Sequence, residues 1–188
     1  MNELIRRRLS MANNLPIQNY EIVGNPKIHN GILTTSADSW IQTPEIFNPG
    51  SSGWEIVFRI KRTNVQDYQN LLTALGIMLQ ARGADVKLYL KESGSSSYNI
   101  SYGDILRVIP SGVEMYIKLS FDGNTYSFGT SVDGANFSNA TLSSSAVISP
   151  GKIAFGAKAN NTSAVSADYY LSDIYVKIDG FLWWTPYK

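Results

Sequence analysis

Cysteine is absent, and histidine occurs once, at position 29. The first absence excludes a disulfide scaffold, a thiolate metal site and a cysteine nucleophile. The second removes most routes to a zinc site, a Ser-His triad or histidine-borne proton transfer. Charge of one sign is missing too. Sixteen Lys and Arg against fifteen Asp and Glu leave +1, too weak a field to argue for nucleic acid. No segment approaches the roughly 18 uninterrupted apolar residues of a membrane helix. Behind Arg6, Arg7 and Arg8 there is none of the roughly 7–15-residue apolar run of a secretory leader, so the segment does not read as one. The protein reads as soluble.

At 188 residues the chain is expected to hold one domain over 15–188, preceded by a separate segment 1–14. In that segment Met1, Ile5, Leu9 and Ala12 fall at helical spacings of four and three. Glu3 against Arg6, Arg7 and Arg8 gives it +2, which leaves −1 for the remainder of a chain that totals +1. Two readings stay open. It is a frayed terminus, or a docking arm in which Ile5, Arg6, Arg7, Arg8 and Leu9 order on a partner. A membrane-surface helix would need more large apolar groups.

From Leu15 onward the pattern has period two. Trp54, Ile56, Phe58 and Ile60 alternate with Glu55, Arg59 and Lys61, Val57 being the apolar exception. Val113–Phe121, Val86–Lys91 and Ile174–Asp179 alternate in the same way. Repeated alternation means sheets with one buried and one wet face. Asp122-Gly123-Asn124, Asp133-Gly134 and Asp179-Gly180 are hairpin signals, because Asp and Gly tolerate the positive φ of tight turns. The seven prolines lie between or beyond the alternating runs. Tyr68–Leu79 is the one stretch that could be partly helical, through Leu71, Leu72 and Leu75. It reads equally as a loop feeding a strand at Gly76–Arg82.

In order along the chain come Gly24-Asn-Pro, Trp40 ahead of Thr43-Pro44, and Trp54-Glu-Ile-Val-Phe-Arg59. They are followed by Leu119-Ser-Phe-Asp-Gly-Asn-Thr-Tyr126 with Ser131-Val-Asp-Gly134, and by the close Tyr170-Leu-Ser-Asp-Ile-Tyr-Val-Lys-Ile-Asp-Gly-Phe-Leu-Trp-Trp184. This series, over roughly 17–187, resembles the concanavalin A-like lectin/glucanase fold in the laminin G-like form found in bacteriophage virion proteins. The resemblance implies an all-β, two-sheet antiparallel jelly-roll sandwich. It also implies a non-enzymatic virion surface protein: a capsid decoration, a head or tail fibre, or an adhesion module. Such a protein would be assembled in the host cytoplasm and be multimeric. Its partners would be other virion proteins of capsid or fibre, and a cell-surface glycan. A free-standing carbohydrate-binding lectin is the alternative, and a glycoside hydrolase the third reading.

Enzymes of this fold cleave sugars with clustered carboxylates, usually Glu-x-Asp-x-x-Glu on one strand, and no such run occurs. Glu55, Glu114 and Asp179 have no acidic neighbour within four positions, so no catalytic residue is assigned. A hydrolase would require acids such as Glu55 and Glu114 to converge from separate strands. Asp133-Gly-Ala-Asn136 and Asp122-Gly-Asn124 are too sparse for a hard cation that wants six or more oxygens, so no metal and no cofactor is expected.

The polar sheet face is the candidate site. It would carry Arg59, Lys61, Gln80, Arg82, Lys87, Tyr89, Lys91, Glu114, Tyr116, Lys118, Tyr175 and Lys177 on one surface. Of these, Arg59, Arg82, Lys87, Tyr89, Tyr116, Lys118 and Tyr175 are the candidate ligand contacts. Tyrosines can stack on sugar rings while long polar side chains reach hydroxyls. Charges that merely block edge-to-edge association explain the same pattern. Trp40 and Trp184 join the candidates, since one of the adjacent Trp183 and Trp184 should point outward. Trp54 reads as core, and His29 as part of a turn.

Overall fold

The computed structural model describes residues 18–35, 39–63, 69–91, 93–96, 100–144, 146–156 and 167–187, the side chains of Gln69 and 100–106 excepted. The arm residues Ile5, Arg6, Arg7, Arg8 and Leu9 lie outside them, as does the boundary at 14/15.

Two antiparallel sheets face each other. The seven-stranded sheet runs β1 (Glu21–Val23), β4 (Trp40–Gln42), β13 (Ala154–Phe155), β6 (Gln69–Ala74), β7 (Ile77–Arg82), β8 (Asp85–Leu90), β9 (Ile100–Val108). The eight-stranded sheet runs β12 (Ser138–Ser143), β11 (Thr125–Ser131), β10 (Glu114–Phe121), β5 (Trp54–Arg62), β14 (Ala167–Ile178), β3 (Ile32–Thr34), β2 (Lys27–His29), with β15 (Phe181–Trp184) also on β14. The fold is the expected all-β two-sheet sandwich.

The alternation places the core. Trp54, Ile56, Phe58 and Ile60 from β5 meet Ile117, Leu119 and Phe121 from β10 on one inner face. Ile41, Leu72, Leu79, Leu88 and Phe155 line the other. Each such side chain removed from water contributes on the order of 1.5–3 kcal/mol. Aromatic contacts cross between the sheets: Phe58 lies edge-on to Phe155, and Phe155 stacks on Trp184 at 5.9 Å.

Several expectations need correction. Tyr68–Leu79 carries no helix in its described part; it forms β6, a two-residue Leu75-Gly76 turn and the start of β7. Its leucines sit at helical spacing, but a bulge between Asn70 and Leu72 lets Leu71 and Leu72 both enter the core. Asp133-Gly134 is not a tight hairpin, because β11 and β12 are joined by the six-residue loop 132–137. Asp179-Gly180 is one, with φ of 49° and 80° at its two central residues. Trp184 is buried, not a surface contact: a bulge at Trp183 turns it inward, where its indole N–H donates to the Asn19 carbonyl at 2.7 Å. Trp183, half-buried, packs against Phe47.

Candidate functional site

The outward positions of β11, β10, β5 and β14 fall into rows across the eight-stranded sheet. One row is Ser131, Tyr116, Arg59, Tyr170 and Ile32; the next is Gly129, Lys118, Val57 and Tyr175. A third is Ser127, Ser120, Glu55 and Lys177. Arg59 is the hub. Its guanidinium carbon lies 4.2 Å from the Tyr170 ring centroid and 5.6 Å from that of Tyr116. Its nitrogens pair with Glu114 and, at 3.3 Å, with Asp173. The Tyr170 hydroxyl donates to the other oxygen of Glu114 at 2.6 Å. Cations of this face sit over aromatic rings repeatedly: Lys118 lies 4.5 Å from Phe137, and Lys177 lies 4.8 Å from Tyr175.

Two glycines let the 132–137 loop lie down on this surface. A Cβ on Gly129 would meet Asn139 Oδ1 at 2.2 Å and Phe137 at 3.2 Å, and one on Gly134 would meet the Tyr116 ring at 3.1 Å. The loop is rigidified by Asp133, whose carboxylate accepts from the Ala135 and Asn136 amides, the Asn136 side chain and the Ser131 hydroxyl.

Electrostatics follow the pairing. Glu114 is held below the ordinary carboxylate range by hydrogen bonds from Tyr170 and then Arg59. Tyr170 is pushed up to about 12 by desolvation and by its bond to Glu114. Tyr175 also rises to about 12, through desolvation and the nearby Glu55. Backbone amides of Asn136, with Ser131 and the Asn136 side chain, lower Asp133. Glu21 and Asp122 are lowered as well, so each of these acids is stabilised as an anion. A general acid for glycoside cleavage needs the opposite displacement. Glu55 and Glu114 do not converge: Glu114 sits opposite Lys61, six positions along β5 from Glu55. At roughly 3.3 Å per residue that is about 20 Å, against the roughly 5–9.5 Å of a catalytic pair. Among the described residues no three His, Cys, Asp or Glu side chains are grouped to hold a metal ion.

The twelve polar residues expected on one face divide between two. Arg59, Lys61, Glu114, Tyr116, Lys118, Tyr175 and Lys177 share the outer face of the eight-stranded sheet. Gln80, Lys87 and Tyr89 lie outward on β7 and β8, with Arg82 opposite Asp85 at the turn and Lys91 just beyond β8. Trp40, half-buried, is on β4 at the far side of that second sheet. There Asn70, Gln80 and Tyr89 are buried although they point outward, and Gln80 donates to Asn70. The outer face of the eight-stranded sheet also buries Val57 and Ser131, but keeps its charged side chains and tyrosines half in water. Sequence reasoning missed Tyr170, Asp173, Asp168 and Phe137 there. Asp168 and Asp173 balance the Lys and Arg excess that alternation had suggested; the Tyr169-Tyr170 doublet, one ring in and one out, was the available signal.

No protein-family model and no curated protein matches the sequence. Solved structures do. The botulinum neurotoxin serotype D binding domain superposes with a TM-score of 0.61 at 11% identity, over 85% of this chain and 43% of that one. The botulinum neurotoxin type G receptor binding domain gives 0.59 at 11%, over 85% and 42%. The binding domain of botulinum neurotoxin DC, in complex with SialylT, gives 0.59 at 11%, over 85% and 43%. The chain thus spans less than half the length of each. Identity this low establishes the β-sandwich and nothing finer.

Proposed function

We propose that the chain is a non-enzymatic carbohydrate-binding module that works through the outer face of the eight-stranded sheet. The observation that carries this reading is the Tyr116–Arg59–Tyr170 stack, pinned by Glu114 and Asp173 on rigid strands. Sugar recognition needs flat rings for the C–H faces of a pyranose beside fixed donors and acceptors for its hydroxyls. Held in place by cations and carboxylates, these rings lose little freedom on binding. The binding domains it resembles in fold, one of them in complex with SialylT, are compatible company for such a module. Of the ligand contacts named from sequence, Arg59, Tyr116, Lys118 and Tyr175 belong to this proposal. Glycan-array binding by the folded protein should select a subset of glycans; a flat response would remove the reading.

A virion setting is the finer proposal, supported by the resemblance of the Tyr170–Trp184 close to phage domains. It makes the chain a capsid decoration, fibre or adhesion module, carried on the particle and contacting other virion proteins. Co-purification with particles from a producing source tests it. Absence from washed particles would end it.

A further inference from the structure

The same face ends in a cleft of about 340 Å³, where β5 and β15 begin and β10 and β14 end. Gly53, Glu55, Ser120, Lys177, Asp179 and Gly180 line it. This volume lies within the roughly 300–1,000 Å³ of small-molecule sites. Register sets Ser120, Glu55, Lys177 and Leu182 in one row across four strands, so the walls are rigid backbone. Lys177 Nζ and Glu55 Oε1 are 3.7 Å apart, an ion pair too long for a direct hydrogen bond. Asp179 is oriented by the Gly53 amide, which donates to its Oδ1 at 3.0 Å. Trp54 also lines the cleft, and its indole N–H is buried without a partner.

Next to this polar cleft the hairpin leaves two consecutive large apolar residues in water. Phe181 is 78% exposed and Leu182 61%. Leu182, opposite Lys177, lies on the cleft's side of β15, whereas Phe181, opposite Ile178, projects on the other side.

We infer that this cleft holds one uncharged pyranose ring, a hexose or N-acetylhexosamine unit of a glycan. The inference rests on the carbohydrate-binding reading and makes it specific. Neighbouring hydroxyls of a pyranose donate to Glu55 and Asp179 and accept from Lys177, while its C–H face lies toward Leu182. Two carboxylates against one ammonium leave the cleft net negative, so acidic sugars and phosphates are disfavoured.

The test is a proton–nitrogen correlation titration of the full chain with methyl glycosides of glucose, galactose, mannose and N-acetylglucosamine, beside glucuronate and 3′-sialyllactose. The expected result is saturable shifts at Gly53, Glu55, Ser120, Lys177 and Gly180 with one or more neutral glycosides only. Glu55→Gln should weaken that binding about tenfold, the scale of one lost hydrogen bond to a charged group. Lys177→Gln should weaken it as well; each variant's own spectrum reports that it is folded. Shifts confined to Tyr116, Arg59 and Tyr170 would overturn the cleft while keeping the face as the glycan site. Equal or stronger shifts from the acidic sugars would overturn the proposed ligand class. No shifts with any of the six sugars would overturn both the cleft and the carbohydrate reading.

Discussion

Arg62 and Tyr169 carry polar ties through an otherwise apolar interior. Arg62 is fully buried at the end of β5, donating to the Ile109 carbonyl and to that of Gly83 in the β7–β8 turn, each at 2.9 Å. It occupies the next inward position after Ile60, so alternation predicts its direction but not that an arginine would fill it. Arg62→Met strands those two carbonyls and should cost about 3 kcal/mol in urea unfolding. Tyr169 joins the sheets by donating from its hydroxyl to Leu71 O at 2.7 Å, and burial drives its pKa far up. Leu71 O keeps the Gly156 amide, so Tyr169→Phe should cost only about 1 kcal/mol. A cost as large as that of Arg62→Met would contradict this assignment. Glu114 gives a pH signature. Its folded pKa is depressed below 4.5, so the unfolded chain protonates first as pH falls. The contribution is complete above 4.5 and is lost as pH drops through the lower folded value. Stability curves of Glu114→Gln and the parent should therefore differ at neutral pH and converge in acid. Parallel curves would contradict the pairing with Tyr170 and Arg59.

At the scale of elements, β5, β8 and β10 were legible because alternation is a local property of the chain. The Asp179-Gly180 turn was legible because both central residues need positive φ. Which of two sheets a strand joins is decided by distant partners, so Lys87 and Tyr89 were placed beside Tyr116 when they lie on the opposite side of the sandwich. Irregularities were hidden for the same reason. On β14, the six residues from Tyr170 to Tyr175 face the three from Arg59 to Val57 on β5. This bulge presents Asp173 to Arg59, and no periodic pattern marks it. Glycines separate backbone conformation from space. Gly180, with nothing within 4 Å, should lose about 1–2 kcal/mol as Ala from its φ of 80° alone. A Cβ on Gly76 would lie 2.6 Å from the Ser149 backbone, so Gly76→Ala should lower the melting temperature more. The reverse order would contradict the close approach of the β6–β7 turn to Ser149.

For the whole molecule, the two outer faces are unequal. One buries Asn70, Gln80 and Tyr89; the other buries Val57 and Ser131 but holds its paired charges and tyrosines half in water. The carbohydrate-binding proposal is placed on the second because the Tyr116–Arg59–Tyr170 row lies there. If Ile5–Leu9 form a docking arm rather than a frayed terminus, sedimentation should show the full chain associating and a chain beginning at Leu15 remaining monomeric. Two monomers would end the docking-arm proposal and leave the sheet face untouched. The face itself is tested most directly by one glycan array probed in parallel with the parent, Tyr116→Ala and, on the opposite sheet, Lys87→Ala. Selective binding is expected of the parent and of Lys87→Ala, lost or sharply weakened in a folded Tyr116→Ala. Binding unchanged by Tyr116→Ala, or abolished by Lys87→Ala, would contradict the assignment of the eight-stranded face.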